Sequence, residues 1–365
     1  MPRTLDPEKY IGKRVDALIT PCLVIDANAM EHNLSLLARY FADRPAKIRP
    51  HFKSHKCVTL ARRQIAAGST TGITCAKLSE AEQLVQGGVD NVLIANQVVG
   101  SEKTRRLAEL NRRAVVRAAV DSVENVDELA AAARQAGVTI GVLVEVDVGM
   151  GRCGVPPGEP ALALARRVAD SDDLRLDGLQ GYEGHLVMVA DPEERRRRVL
   201  ETMRPLVQTR HLLTEAGLPV RMVSSAGTGT YDVTGNIEGI DEVQCGSYAL
   251  MDGCYKNLRP EFKLACRVMT TVISAHDDRA VLDVGSKGLG REFGPPLVED
   301  APQAEVRGVA EEHTVIQGLK ARVGSRVRLV SSHGCTTSNL YRRFWVARGD
   351  IIETAWPIEG SGCLE

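Results

Sequence analysis

The sequence has no excess of either charge. Its 46 Lys and Arg stand against 47 Asp and Glu, a net charge of −1. That balance speaks against nucleic acid or an anionic membrane as partner and for a small molecule. No apolar stretch approaches the roughly 20 residues of a membrane span. The opening MPRTLDPEKY lacks the apolar core of a secretory signal. CxxC pairs are missing, and the nine cysteines are irregularly spaced and odd in number. This argues against a disulfide framework or a structural zinc cluster and for a reducing, cytoplasmic setting. Internal repeats and low-complexity linkers are lacking too. What remains is a chain of 365 residues, 44% hydrophobic and 25% charged. It is long enough for a large barrel and a smaller partner domain.

Short β-branched runs alternate with helical patterns from about residue 20 to residue 248. The strand candidates are 21–26, 48–53, 72–75, 91–95, 115–120, 139–147, 176–182, 220–225 and 240–246. Between them, Ser79 and Glu82 have the capping-box spacing, with Gly87 and Gly88 as the stop. Ser101 and Ser122 each open a further helix, and a long helix spans 192–216. In that helix the run Arg195–Arg198 reads as a solvated face rather than a phosphate patch. Strict alternation implies a parallel sheet with helical crossovers. Nine candidates are one more than a (β/α)8 barrel needs, and a doubly wound sheet would also accommodate them. After about Tyr255 the pattern changes to strands at 264–275, 279–284, 326–331 and a hairpin at 344–356. No long amphipathic helix accompanies them, so this is a second, mostly antiparallel β domain.

Three clusters carry chemistry. Arg-Pro-His-Phe-Lys-Ser-His-Lys at 49–56 closes a predicted strand, where residues of a parallel α/β layer face the active site. Neighbouring cations depress a lysine pKa, as a nucleophilic lysine requires, and period-two alternation puts His51, Lys53 and His55 on one face. Lys56 would open the next helix. A basic strand end that binds a carboxylate or phosphate is the other reading. Ala-Gly-Thr-Gly-Thr at 226–230 follows a predicted strand, the seventh if the barrel begins at 48–53. Barrel enzymes often bind phosphate after strands seven and eight, although a plain turn would also explain the run. His333 and Cys335, two apart on a segment read as extended, point the same way and could share a zinc-like divalent ion. A buried cysteine beside a hydrogen-bonded histidine is the alternative.

Taken together these motifs resemble the D-threonine aldolase and D-serine dehydratase family of fold-type III pyridoxal-phosphate (PLP) enzymes, which are alanine-racemase-like. The likeness runs from Thr-Pro-Cys-Leu-Val-Ile-Asp at 20–26 to Trp-Pro-Ile at 356–358. It includes Lys-Leu-Ser-Glu-Ala-Glu at 77–82, Glu-Val-Asp-Val-Gly-Met-Gly-Arg-Cys-Gly-Val at 145–155, Glu-Val-Gln-Cys-Gly-Ser-Tyr-Ala-Leu-Met-Asp at 242–252 and His-Gly-Cys-Thr-Thr-Ser-Asn-Leu at 333–340. The resemblance implies a TIM barrel over 27–250, and a β-strand domain from 1–26 plus 251–365 that carries the metal ligands. It implies that Lys53 holds the cofactor, that Gly227, Thr228, Gly229, Ser247 and Tyr248 contact its phosphate, and that Arg152 and Tyr182 lie beside its ring. His333 and Cys335 would bind Zn²⁺ or Mn²⁺, and the assembly would be a homodimer. His51 and His185 are candidate bases. The expected substrate is a β-hydroxy D-amino acid, cleaved between Cα and Cβ to glycine and an aldehyde. The alternative is dehydration to a 2-oxo acid and ammonia. An amino-acid racemase or a non-enzymatic PLP carrier ranks lower. The family's aldolases carry His-x-Asp at the metal pair and its dehydratases His-x-Cys, as here, whereas 242–252 and Trp-Pro-Ile are aldolase-like.

Overall fold

The computed structural model describes residues 6–365. The chain divides into two compact units. One holds the described residues through Leu36, Ser54–Thr59 and Ser247–Gly362; the other holds Leu37–Lys53, Leu60–Gly246 and Cys363–Glu365. The first strand, β1 (Cys22–Asp26), belongs to the former.

The barrel unit contains β2 (Lys47–Ile48), β3 (Ile73–Cys75), β4 (Asn91–Gln97), β5 (Val115–Val120), β6 (Ile140–Glu145), β7 (Leu174–Gln180), β8 (Met222–Ser225) and β9 (Glu242–Val243). All eight run parallel, in the order β2-β9-β8-β7-β6-β5-β4-β3. The ring closes where the N–H of Thr71 reaches the Ile48 carbonyl at 2.9 Å and that of Thr74 reaches the Pro50 carbonyl at 2.8 Å. Segment 220–225 is therefore the seventh barrel strand, and the ninth candidate, 21–26, lies outside the ring. Strand β6 is buried at every position, as a strand with a core on both faces must be.

Within the ring lies a charged layer rather than an apolar one. Arg49 forks onto Glu242 with two bonds of 2.7 Å. Arg117 and Arg175 each reach Asp177 at 2.6 Å, and Asn91 accepts from Arg49 and Arg117 at 3.0 and 2.8 Å. Gly141 makes room for it, since a Cβ there would lie 2.4 Å from the Asp177 carboxylate.

The β unit joins β1 to β10 (Cys266–Ala275), β11 (Arg279–Leu282), β12 (Leu297–Val298), β13 (Glu305–Val309), β14 (Thr314–Gln317), β15 (Arg326–Val330), β16 (Arg343–Arg348) and β17 (Ile351–Pro357). The order is β13-β14-β11-β10-β1-β16-β17, with β15 also on β10 and β12 on β15. Every pairing is antiparallel except β1 with β16. Cys22, Val24, Met269, Trp345 and Ile352 form a core against this sheet. The second domain is mostly antiparallel, as its pattern implied.

Several local expectations fail. Phe52–Ser54 is a 3-10 turn, so period-two alternation does not carry from His51 to His55. Lys56 is not the start of a helix; it has φ +54° and precedes Val58–Ala66. Ser79 caps nothing: the helix begins at Leu78 after Lys77, and the Ser79 hydroxyl donates instead to the Glu365 carbonyl at 3.0 Å. Arg195 leaves the solvated run: it is 4% exposed and donates to the Val189 carbonyl at 2.6 Å. The extended reading of 333–335 gives way to a short helix, Gly334–Asn339, with His333 as its N-cap. Gly334 starts that helix because a neighbouring carboxylate takes its N–H, which local sequence does not show.

Candidate functional site

In the barrel unit all strand C-termini share one end, because every strand runs the same way. His51 still belongs to the ladder, its N–H on the Cys245 carbonyl at 2.9 Å, and Lys53 follows immediately in the 3-10 turn. His51 is buried and Lys53 half-buried. Arg152 comes after β6, Tyr182 after β7 and Gly227 to Gly229 after β8, so one rim collects them. The Arg152 guanidinium stands 5.8 Å from the centre of the Tyr182 ring, and the Glu145 carboxylate lies 3.7 Å from it. The exposed His185 lies beside Gly149: a Cβ there would come within 3.8 Å of its ring.

The turn after β8 is tightly built. Its Thr230 N–H reaches the Gly227 carbonyl at 3.1 Å, and the Thr230 hydroxyl accepts the Gly227 N–H at 3.3 Å. Ala226 sits at φ +64°, a conformation that costs a non-glycine residue roughly 1–2 kcal/mol. Behind it lies Glu183, fully buried. Its carboxylate takes the Ala226 N–H at 3.2 Å, the Ser225 hydroxyl at 3.1 Å and the Thr234 hydroxyl at 2.5 Å. A Cβ on Gly227 would lie 3.1 Å from the Tyr182 hydroxyl, and one on Gly229 would run into the Val187 carbonyl at 2.1 Å. The lack of a side chain at 227 thus leaves the space beside Tyr182 open. A lysine at the strand-one end and a glycine turn past strand seven, with an arginine and a tyrosine between, fit a phosphate-bearing aromatic aldehyde such as PLP.

Sequence reasoning passed over the buried polar groups of this rim. Glu145 ends β6 and is 3% exposed. Burial pushes its carboxyl above the usual range, against the pull of Gln97, which donates to it at 2.6 Å, and of Arg152. Gln244 donates to Gln180 at 3.1 Å and to the Ser224 hydroxyl at 3.0 Å. The available signal was a lone carboxylate ending an otherwise apolar strand, Ile-Gly-Val-Leu-Val-Glu.

In the β unit, Ser247 opens a 3-10 turn and Tyr248 is buried, its ring 5.9 Å from Phe262. Ser247 lines a cavity with Ser54, Asp252, Ser331, Cys335 and Ser338. Asp252, also missed from sequence, is 2% exposed and accepts the N–H groups of Gly334 at 2.9 Å and Tyr255 at 3.1 Å. Burial nevertheless lifts its carboxyl above the usual range. That carboxylate fixes the turn bearing His333 and Cys335. The His333 side chain is 25% exposed, yet its Nδ1 is sealed from solvent and makes no hydrogen bond. An imidazole two positions from a thiol is a donor set that fits a borderline divalent ion. No three or more His, Cys, Asp and Glu side chains gather as a metal cluster among the described residues. No disulfide joins the nine cysteines, and among the described residues no helix is long and apolar enough to cross a membrane.

An eight-stranded parallel barrel with a lysine at the end of its first strand and a glycine turn after its seventh, joined in one chain to an antiparallel β unit, defines an alanine-racemase-like, fold-type III PLP-enzyme fold. Within that class, residues 25–253 match the alanine racemase N-terminal domain, and the chain belongs to that family. Residues 265–347 match the serine dehydratase domain model. The chain is 36% identical to a D-threonine aldolase of Arthrobacter, over 98% of this chain and 97% of that protein. It is 33% identical to a 3-hydroxy-D-aspartate aldolase of Paracoccus denitrificans, over 94% and 92%. The crystal structure of D-threonine aldolase from Filomicrobium marinum superposes with a TM-score of 0.94 at 37% identity, covering 97% of this chain and 99% of that one.

Proposed function

We propose that this protein is a PLP- and divalent-metal-dependent lyase that cleaves β-hydroxy D-amino acids to glycine and an aldehyde. The observation that carries the proposal is likeness along nearly the whole chain to proteins named D-threonine aldolase and 3-hydroxy-D-aspartate aldolase, and a lysine, Lys53, just past the first barrel strand supports it. PLP, when bound, supplies an electron sink for the pair left at Cα as the Cα–Cβ bond breaks. A divalent ion supplies Lewis acidity toward a substrate oxygen.

The chain's own residues do the rest. Lys53 holds the cofactor's aldehyde carbon, and Gly227, Thr228 and Gly229 receive its phosphate with Ser247 and Tyr248. Tyr182 and Arg152 flank the ring, the arginine contributing positive charge near a carboxylate or phosphate. His333 and Cys335 are the ligands of Zn²⁺ or Mn²⁺. His51 and His185 are the candidates to take the hydroxyl proton. Such a base is worth about 10²–10⁴-fold in rate, so replacing the right histidine by Asn costs far more than replacing the other. The protein works in the cytoplasm as a homodimer.

Product analysis tests the reading. Incubated with PLP, Zn²⁺ or Mn²⁺ and D-threonine, D-serine or D-3-hydroxyaspartate, the enzyme is expected to release glycine and the matching aldehyde. A 2-oxo acid with ammonia would instead make it a dehydratase, and full activity after chelation of all metal would refute the metal's part.

A further inference from the structure

We infer that Glu292 is the positioning residue of the metal pair: its carboxylate takes the Nδ1 hydrogen of His333, which fixes the tautomer and leaves Nε2 as the ligand. This rests on the reading of His333 and Cys335 as metal ligands and adds to it the group that aims the imidazole.

The two nitrogens of the ring are in unlike surroundings. Nδ1 is closed to solvent and lacks a hydrogen-bond partner, although a quarter of the side chain is exposed. The exposed part of the side chain therefore lies away from Nδ1. An ion on Nδ1 would sit where no water-sized group fits, and so could not also take a substrate oxygen. The ionic group nearest to Nδ1 is the Glu292 carboxylate, with Oε2 at 3.6 Å, one small side-chain rotation from hydrogen-bond distance.

Glu292 is itself aimed. The Thr336 hydroxyl, one residue beyond Cys335, donates to the same Oε2 at 3.0 Å. The adjacent Phe293 packs edge-on against the imidazole with ring centres 4.9 Å apart. Two consecutive residues of one loop thus address one ring, Phe293 in an edge-type ring contact and Glu292 toward its sealed nitrogen. From the other side, Asp252 anchors the Gly334 N–H between the two ligands. A ligating histidine commonly donates its second N–H to a carboxylate, and loss of such a partner weakens metal binding about 10–100-fold.

The test is Zn²⁺ affinity, measured on the metal-stripped, PLP-loaded full-length enzyme by competition with a chromophoric chelator. Glu292→Ala is expected to weaken Zn²⁺ about 10–100-fold. Glu292→Gln, whose carboxamide oxygen accepts the same N–H, is expected to recover most of the loss. Thr336→Val, which keeps the carboxylate but frees it, should fall between and supplies a second route should Glu292→Ala fold poorly. Glu292→Ala binding Zn²⁺ within twofold of the wild type, while His333→Ala and Cys335→Ala lose it, would overturn the inference and leave the metal pair standing. Were the wild type, His333→Ala and Cys335→Ala to bind alike, the metal reading would fall and this inference with it.

Discussion

Replacing Glu183 by Leu should loosen the glycine turn and cofactor binding together. The carboxylate is fully buried and takes three donors. One of these, the Ser225 hydroxyl, also has the Gly181 carbonyl, so Leu strands two: the Ala226 N–H and the Thr234 hydroxyl. Hydrogen bonds to a charged acceptor contribute about 1.5–3 kcal/mol each, and a buried donor left without a partner costs about 1–3 kcal/mol. Two stranded donors at about 1.5–3 kcal/mol each put the loss at about 3–6 kcal/mol, part of it recoverable if the Thr234 hydroxyl turns to its own helix. The Ala226 N–H has no such escape, because φ +64° fixes its direction. Denaturant unfolding followed by circular dichroism reads the stability. Titration of the metal-supplemented apoenzyme with PLP reads the turn, where a tenfold rise in Kd corresponds to about 1.4 kcal/mol and is the least expected. Glu183→Gln retains one acceptor oxygen and should lose about half as much. Glu201→Gln, on an exposed helix face, serves as the control and should stay within about 0.5 kcal/mol. A Glu183→Leu protein within about 1 kcal/mol of wild type, with unchanged PLP affinity, would refute the bracing role.

Other perturbations address the barrel and the lysine. Arg49→Met leaves Glu242 charged and unpaired where the two side chains are 1% and 4% exposed, for an expected loss of about 3–5 kcal/mol. The double variant Arg49→Met, Glu242→Leu should regain most of it, and a double variant as unstable as the single one would argue against this account. Burial pushes the Glu242 carboxyl up, but the charge and paired hydrogen bonds of Arg49 outweigh it, so its folded pKa is lowered. Its contribution is therefore complete above the ordinary glutamate value of about 4.3 and lost as pH falls through the lower folded one. In Arg49→Met that balance reverses, so the stability deficit should shrink on acidification in unfolding curves taken at pH 7 and pH 5. Lys53→Ala should abolish the visible absorption of lysine-bound PLP and all turnover, and a variant that kept the band would refute Lys53 as the attachment point.

The alternation of β-branched runs with amphipathic helices was enough to read a parallel α/β unit followed by an antiparallel one, because periodicity is a local property of the chain. Position along that pattern was enough to single out Lys53 after the first barrel strand and Gly227 to Gly229 after the seventh. Strands β12, β13 and β14 were invisible, being two to five residues long and largely exposed on one or both faces, with no apolar run to mark them. Ring closure was undecidable by the same reasoning, since it depends on hydrogen bonds between residues 48–50 and 71–74 that a doubly wound sheet would not make.

The sequence by itself determined the order of elements, the two kinds of sheet and the chemical types available at the site. Tertiary structure alone decided which carboxylates are buried and what each holds: Glu183 behind the glycine turn, Glu145 under Arg152, Asp252 on the Gly334 N–H. It also decided that Cys335 lies in a helix and that the partly exposed His333 has a sealed Nδ1. The physical reason is that burial and hydrogen bonding depend on partners distant in the chain, 82 residues away for Gly334 and Asp252, whereas propensity and spacing extend only a few turns.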